Sequence, residues 1–303
     1  GARNLRSYTR AGMVRAMSNP QFSIATWNIN SVRLRRPIVE KLLAETNPDV
    51  LCLQEIKCRN EEFPAEAFAD FGYRHQAIHG QKAYHGVAIL SRHPLEMTGQ
   101  EKFCKIDDAR HVSALVDFKG KPVHVHNFYV PAGGDEPDPV INTKFRHKLD
   151  FVEEMRRIRP EHPKAPSILV GDLNIAPLEH DVWGHKELLK VVSHTPVETE
   201  GFEAMRKDSG WVDLMRHHTP EPEKLYTWWS YRAADWKASN RGRRLDHVWS
   251  SPDMTGTHAV GTNPPTMFPS WRHLIFSRQN QSENLPAMPV MPFSMVSKLP
   301  DSC

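Results

Sequence analysis

The chain has 303 residues, enough for one large α/β domain or two small ones. Its hydrophobic fraction of 39% and charged fraction of 25% are ordinary for a globular protein. No run of 18 or more apolar residues occurs, so the sequence predicts no membrane span, and we expect no membrane partner. The net charge of +3 is compatible with a polyanionic partner but does not establish one.

The cysteine pattern excludes two kinds of site. Cys52, Cys58, Cys104 and Cys303 form no paired C-x-x-C arrangement, which argues against structural zinc. Cys52 lies in an apolar stretch and is predicted to be buried. We therefore expect no disulfide framework and a reducing compartment, the bacterial cytoplasm.

The first 17 residues contain four arginines and no acidic residue. They lack the long apolar core of a secretory signal, and a transit peptide is one interpretation. A disordered basic leader, or a start misplaced upstream of Met13 or Met17, is the favoured one. We assign the leader to residues 1–20.

Short apolar runs that end in polar clusters recur along the chain, and amphipathic stretches lie between several of them. Neighbouring strand patterns at 112–118 and 123–130 argue against a purely parallel sheet. The pattern favours an α/β fold with two mixed sheets packed together and helices outside. The predicted strands are 22–27, 50–53, 86–90, 112–118, 123–130, 167–170 and 245–250, and the predicted helices are 36–45, 143–158 and 184–192.

Composition changes after Pro252. Residues 253–303 are rich in Pro, Met, Ser, Asn and Thr and show little periodicity. We predict one folded domain over 21–252 and an atypical, poorly structured tail over 253–303. A reading-frame shift near 253–256 would explain the change, and translating the coding DNA in the other frames tests that idea against genuine divergence.

Polar side chains follow several predicted strands at the point where each strand ends. Any one of them alone is more often a turn or helix cap. Strand ends of α/β sheets share a crevice, however, and three carboxylates would be costly there without a cation. Oxygen ligands of this kind suit a hard divalent ion. The residues are Asn28, Glu55, Asp172, Asn174 and Asp246.

Six segments match signatures of one family, in the family's order. The sequence resembles the exonuclease III class of abasic-site (AP) endonucleases, in the endonuclease/exonuclease/phosphatase superfamily, from about 22 to 252. The matching segments are TWNINSVR at 26–33, LQEIK at 53–57, YHGVAILSR at 84–92, NFYVPAG at 127–133, GDLNIAP at 171–177 and RLDH at 244–247.

The resemblance implies a fold and an activity. The fold would be a two-sheet sandwich flanked by helices, the four-layer arrangement of deoxyribonuclease I, formed by a nuclease domain over 21–252. The activity would be Mg²⁺-dependent hydrolysis of DNA phosphodiesters, 5′ to abasic sites and from 3′ ends, in base-excision repair. Mn²⁺ is an alternative metal. The partner would be double-stranded DNA with abasic sites or 3′ ends, bound by a cytoplasmic monomer.

The resemblance also assigns roles. Glu55 would be the main metal ligand, with Asn28 beside it. Asp172 would orient or deprotonate the attacking water, and Asn174 would hold the nucleophile or a phosphate oxygen. Tyr129 would donate its hydroxyl to the phosphate as charge develops there.

A segment of interleaved aromatic and basic residues, 226–244, would line the pocket for an extruded abasic sugar. Basic groups hold phosphates, and aromatic faces stack on bases or sugars. The assigned DNA-binding residues are Trp228, Arg232, Arg241 and Arg243. Core packing of the tryptophans, Trp229 above all, is the alternative.

The sequence departs from the family at its end. Asp246 would orient a catalytic histidine, which the family supplies in a last-strand S-D-H-x-P-[VI] motif. No such motif follows Pro252, and His273 is a weak substitute without the Asp or the Pro. The chain therefore lacks the sequence signature of the family's last strand. Loss of that strand would expose the edge of the neighbouring strand, and loss of the histidine would slow catalysis.

Two other functions stay open. One is a catalytically impaired, DNA-binding relative. The other is a phosphodiesterase of the wider fold, such as a phosphoinositide phosphatase, a sphingomyelinase or an RNA deadenylase. The segments at 26–33, 226–229 and 244–247 favour the DNA repair branch.

Overall fold

A computed structural model describes residues 21–230, 236–254, 258–259 and 293–298. Among these residues, no helix is both long and apolar enough to cross a bilayer. The strands are β1 Gln21–Asn28, β2 Val50–Gln54, β3 His75–His79, β4 Val87–Ser91, β5 Leu95–Gly99, β6 His111–Phe118, β7 Lys121–Tyr129, β8 Ser167–Asp172, β9 Val212–Asp213, β10 Trp228–Trp229, β11 Gly242–Arg243, β12 Asp246–Ser250, β13 His258–Ala259 and β14 Phe293–Lys298. The helices are α1 Val32–Thr46, α2 Ala65–Asp70, α3 Thr143–Met155, α4 His185–Leu188, α5 Pro196–Ser209, α6 Leu214–His218 and α7 Trp236–Ser239.

The strands form two six-stranded sheets and one small ribbon. The first sheet has the order β13-β14-β1-β2-β4-β3 and the second has the order β5-β6-β7-β8-β12-β9, while β10 and β11 pair separately. The pairs β1–β2 and β7–β8 are parallel, and the other pairs within the sheets are antiparallel. Both sheets are therefore mixed, as the sequence predicts.

Three apolar layers separate the sheets and helices. The central core fills the space between the sheets, with residues such as Ile24 and Val50 of the first sheet against Val125 and Val170 of the second. A second cluster covers the outer face of the first sheet with α1 and α2. A third covers the outer face of the second sheet with α3 and α5. The predicted four-layer sandwich is confirmed.

The region beyond Pro252 contributes two described strands. β14 pairs antiparallel with β1, from Gln21 opposite Lys298 to Thr26 opposite Phe293, and β13 pairs with β14. β1 is thus bonded on both sides, by β2 and by β14. The exposed edge expected beside a missing last strand is not found at β1. Most of the tail lies outside the described residues, and its character stays a prediction.

A pair of amide side chains joins the two sheets inside the core. Gln54, at the end of β2, donates through Nε2 to Asn127 Oδ1 of β7 (2.7 Å) and to Thr26 Oγ1 (2.9 Å). Asn127 Nδ2 donates back to the carbonyls of Leu53 and Ala88, each at 2.9 Å. Both side chains are fully buried. Buried polar groups need their partners, so these bonds fix how the sheets face each other.

A second buried network fixes the start of β12. The Arg244 guanidinium is fully buried and donates to both carboxylate oxygens of Asp181 (2.8 and 2.9 Å) and to Asp213 (2.7 Å). Arg216 adds two bonds to Asp181, at 3.0 and 2.6 Å. Two cations thus neutralise two carboxylates in a dry environment, and the network ties β12 to β9 and to the 3₁₀ turn Glu179–Asp181.

Replacing Arg244 by Gln should lower the free energy of unfolding by about 3–5 kcal/mol, because it leaves buried carboxylates without a counter-charge. Chemical denaturation of Arg244→Gln measures this change. The control is Arg146→Gln on the exposed face of α3, with an expected change within about 0.5 kcal/mol. Equal stability of the two variants would refute a structural role for Arg244.

Histidines are buried in the second sheet in their neutral form. The amide of Glu101 donates to His111 Nδ1 (3.1 Å), so His111 carries its proton on Nε2 and donates to His126 Nδ1 (3.1 Å). Burial lowers the pKa of His111 to about 3 and the pKa of His126 well below 6.5. Burial, with the charge of Arg244, also lowers the pKa of His247 to about 3.

These histidines predict a loss of stability in mild acid. An unfolded histidine takes up a proton near pH 6.5, whereas the folded ones resist protonation until about pH 3. The unfolded state therefore binds more protons below pH 6.5, and stability falls as pH falls, by up to about 1.4 kcal/mol per pH unit for each histidine.

Unfolding free energies measured between pH 7.5 and 4.5 should show this slope, and His126→Phe, which removes one such group beside Phe128 and Trp211, should make it shallower. His217→Gln on the exposed end of α6 is the matched control and should leave the slope unchanged. A flat profile for the unmodified protein would contradict the prediction.

Candidate active site

The ends of β1 and β2 bring Asn28 and Glu55 together. The strands are parallel, and Asn28 lies opposite Gln54, the last residue of β2. Glu55, which follows β2 directly, therefore lies beside the Asn28 side chain. Asn28 Nδ2 donates to Glu55 Oε1 at 2.8 Å. Glu55 has a positive φ of 51°, an uncommon conformation for a non-glycine residue. The chain therefore turns sharply where the carboxylate enters the crevice.

Asp172 reaches the same crevice from the second sheet. It ends β8, and its Oδ2 accepts the second hydrogen bond of Asn28 Nδ2, at 2.8 Å. Its Oδ1 accepts the backbone N–H of Asn174 at 3.1 Å. The Asn174 side chain donates to the carbonyl of Val130 at 2.8 Å. One amide thus links a carboxylate from each sheet.

Asp246 lies next to Asp172. It is the first residue of β12, and the antiparallel register places it directly opposite Asp172. Its backbone N–H donates to Thr227 Oγ1 at 3.0 Å, and only 4% of its surface is exposed. Five of the predicted site residues, Asn28, Glu55, Asp172, Asn174 and Asp246, therefore gather at one end of the sandwich.

Lys57 supplies a positive charge that the sequence interpretation assigned no role. Its Nζ lies 2.9 Å from Glu55 Oε2 and donates to Asn30 Oδ1 at 2.5 Å. The signal was present, since Lys57 closes the same segment as Glu55. Its ammonium offsets part of the negative charge of the buried carboxylates.

The donor set fits a hard cation. Glu55 supplies carboxylate oxygens at the end of β2, and the Asn28 amide oxygen, which accepts the Asn30 N–H at 3.1 Å, lies beside it. Carboxylate and amide oxygens suit Mg²⁺ or Mn²⁺. Among the described residues, no group of three His, Cys, Asp or Glu side chains has the spacing of a preformed metal site. A cation here would therefore need water or substrate oxygens to complete its shell.

Tyr129 faces this crevice from the end of β7. The residue is 7% exposed, and the Arg110 guanidinium lies 5.0 Å from the centre of its ring. Arg110 also donates to the Tyr129 carbonyl at 3.3 Å and receives the Tyr129 N–H on its own carbonyl at 2.8 Å. Asp108 accepts from Arg110 Nε, and the His85 ring lies 6.0 Å from the Tyr129 ring. The motif predicted Tyr129, but its three neighbours were missed.

A buried ion pair supports the loop that carries Asn174. Lys148 of α3 and Glu198 of α5 are both fully buried, with Nζ and Oε1 2.5 Å apart. Lys148 also donates to the Asn174 carbonyl at 2.8 Å. Glu198 accepts the backbone N–H of Ser193 and of Thr195. The loop, in which Asn174 has a φ of 54°, is therefore held from behind by two helices.

The predicted DNA-binding residues occupy different environments. Arg241 is exposed, and its guanidinium lies 4.6 Å from the Trp183 ring centre. Arg243 is half-buried, stacks over Trp228 at 5.5 Å and donates to Val192 O and Ser193 Oγ. Arg243 therefore has a structural role beside any contact with DNA.

The remaining sequence interpretations have mixed outcomes. Trp228 is half-buried, whereas Trp229 is 5% exposed and donates to Asn240 Oδ1 at 3.1 Å. Trp229 is therefore buried, as the alternative interpretation of core packing predicts. Arg232 and His273 lie outside the described residues.

Comparisons with known proteins identify the family and agree with the fold. The model of the Endonuclease/Exonuclease/phosphatase family matches residues 25–277. Exodeoxyribonuclease III of Haemophilus influenzae is 30% identical over 233 residues, which cover 74% of this chain and 85% of the relative.

Two solved structures have the same fold. An AP endonuclease from Archaeoglobus fulgidus superimposes with a TM-score of 0.70 and is 29% identical, covering 78% of this chain and 90% of the other. A 3′ phosphatase from Neisseria, bound to a product DNA hairpin, gives 0.66 and 33% with the same coverage. The chain therefore belongs to the endonuclease/exonuclease/phosphatase family, in its exonuclease III class.

Proposed function

We propose that this chain hydrolyses phosphodiesters of double-stranded DNA, 5′ to abasic sites and at 3′ ends, with Mg²⁺ or Mn²⁺ held by Glu55 and Asn28. The observation that carries the proposal is the Asn28 amide, which joins Glu55 and Asp172 across the two sheets at 2.8 Å each. The relatives' names, an exodeoxyribonuclease III and an AP endonuclease, support DNA as the substrate.

Asp172 activates the water in this proposal. Its two oxygens are held by Asn28 Nδ2 and by the Asn174 N–H, so the carboxylate has a fixed orientation. It accepts a proton from a water whose oxygen attacks phosphorus, and the bond to the 3′ oxygen breaks. The bound cation would polarise a phosphate oxygen and stabilise the leaving oxygen.

Tyr129 holds the phosphate from the strand next to Asp172, since the two residues are paired in the β7–β8 register. Its backbone is bonded to Arg110, and the Arg110 guanidinium also packs 5.0 Å from the ring centre, which restrains the ring. A phenol donor in a fixed position stabilises the charge that develops on a non-bridging oxygen. Asp246, beside Asp172, adds a carboxylate that can orient a proton donor.

Glu55→Gln and Asp172→Asn should each slow cleavage by about 10²- to 10⁴-fold, because the first removes the charge of the proposed metal ligand and the second removes the proposed base. The assay is single-turnover cleavage of a duplex that carries a tetrahydrofuran abasic analogue, with Mg²⁺ and then with EDTA. The exposed Glu66→Gln on α2 is the matched control and should cleave at the unmodified rate.

Three outcomes of that assay separate the alternatives. Cleavage that persists in EDTA would refute the metal-dependent mechanism. Duplex binding with no turnover by the unmodified protein would favour the catalytically impaired relative. Faster turnover of RNA or of a lipid phosphate would favour another branch of the family.

Arg241→Ala should weaken duplex binding without changing the single-turnover rate at saturation, because its exposed guanidinium reaches phosphates but not the reacting atoms. The slope of log K against log salt should fall by about one. Fluorescence anisotropy at several salt concentrations measures both quantities. Lys41→Ala on the exposed face of α1 serves as the charge-matched control. An unchanged slope for Arg241→Ala would contradict the assignment.

A further inference from the structure

His85 lies between two proposed parts of the active site. Its carbonyl accepts the backbone N–H of Lys57 at 2.9 Å, which places it beside the turn that carries Glu55. Its ring lies 6.0 Å from the Tyr129 ring. The ring is half-buried. Among the described histidines, His85 is the one whose ring is in contact with Tyr129.

The neighbouring arginine fixes which ring nitrogen of His85 carries the proton. Arg110 Nη2 lies 3.3 Å from His85 Nε2. A guanidinium only donates hydrogen bonds, so Nε2 must be the acceptor and the proton sits on Nδ1. Arg110 is itself held by Asp108 and by the Tyr129 carbonyl. Among the described residues, Nδ1 has no hydrogen-bond partner.

Electrostatics keep the ring neutral. Burial lowers the pKa of His85 to about 4, and the charge of Arg110 lowers it further, against the opposing effect of Asp108 and Glu55. At neutral pH the imidazole is therefore a single hydrogen-bond donor, through Nδ1. It also has a positive φ of 52°, so its backbone turns the ring in a direction that ordinary strand residues do not reach.

We propose that His85 is a further substrate-contacting residue, whose Nδ1–H donates a hydrogen bond to a non-bridging oxygen of the phosphate between Glu55 and Tyr129. This inference rests on the proposed function, since it requires a phosphodiester in that crevice. Arg110 and Asp108 act through His85 by fixing its tautomer.

Two amide substitutions distinguish the roles of the two ring nitrogens of His85. In His85→Asn, the side-chain N–H₂ can stand where Nδ1 stands, and asparagine tolerates the positive φ. In His85→Gln, the longer side chain places its amide at Nε2 and leaves the Nδ1 position empty. We expect kcat/KM on the abasic duplex to fall about 10- to 100-fold for Gln and only a few-fold for Asn.

Phosphorothioate substrates test the contact itself. Sulfur in place of one non-bridging oxygen weakens a hydrogen bond at that atom, so the unmodified protein should cleave one diastereomer more slowly. His85→Gln should lose that difference, and His85→Asn should keep it. Equal rates for both variants, or the same diastereomer preference in all three proteins, would overturn the inference. Melting temperatures of both variants exclude unfolding as the cause.

A binding measurement distinguishes failure of this inference from failure of the proposed function. The affinity of each protein for the uncleaved abasic duplex is measured in EDTA, where no turnover is needed. We expect about tenfold weaker binding for His85→Gln than for His85→Asn. If the unmodified protein does not cleave, the proposed function fails, and equal affinities of the two variants in EDTA would then overturn the contact as well.

Discussion

The contact between Gln54 and Asn127 is the constraint from which the site geometry follows. Each amide crosses the apolar space between the sheets, where an unmet hydrogen bond is costly. A shift of one residue would point these side chains away from each other, because neighbouring strand residues face opposite sides of a sheet. The two sheets are therefore locked in one alignment. Glu55 comes one residue after Gln54, and Tyr129 comes two residues after Asn127. The alignment of the two sheets therefore also sets the distance between Glu55 and Tyr129 across the crevice.

The crevice collects negative charge that the fold must offset. Asp172 and Asp246 are opposite each other in the β8–β12 pair, and Glu55 is joined to Asp172 through one amide. The Lys57 ammonium lies 2.9 Å from Glu55 Oε2 and offsets part of this charge. Carboxylates gathered from both sheets in a buried crevice are the physical reason that a divalent cation would bind there. The Asn28 amide, which donates to Glu55 and to Asp172, holds these two carboxylates close together.

Much of the fold could be predicted from the sequence, because buried strands are continuous apolar runs. Such runs predict seven strands whose bounds agree with the structure to within a few residues: β1, β2, β4, β6, β7, β8 and β12. The edge strands β3 and β5 were missed, since their side chains are half-exposed and mixed in character. Helix α5 was also missed. Its apolar face is sparse, although Thr195, Pro196 and Glu198 form a recognisable helix start. Helix α4 is far shorter than the amphipathic pattern at 184–192 suggests.

The candidate site likewise contains residues that belong to sequence motifs and residues that only the fold brings next to them. Motif residues could be predicted because each follows a strand that apolar patterning reveals. Their supports could not, because Arg110, Lys148 and Glu198 come from segments far apart in the chain. These residues contact segments whose backbone is in an uncommon conformation, since Asn174 and His85 both have positive φ. A conformation of this kind persists only where its surroundings hold it. Lys148, bonded to the Asn174 carbonyl and to Glu198, holds one side of the crevice, and Arg110 holds the other. The reactive groups therefore depend on two buried cations, each with three hydrogen bonds, whose positions only the tertiary structure determines.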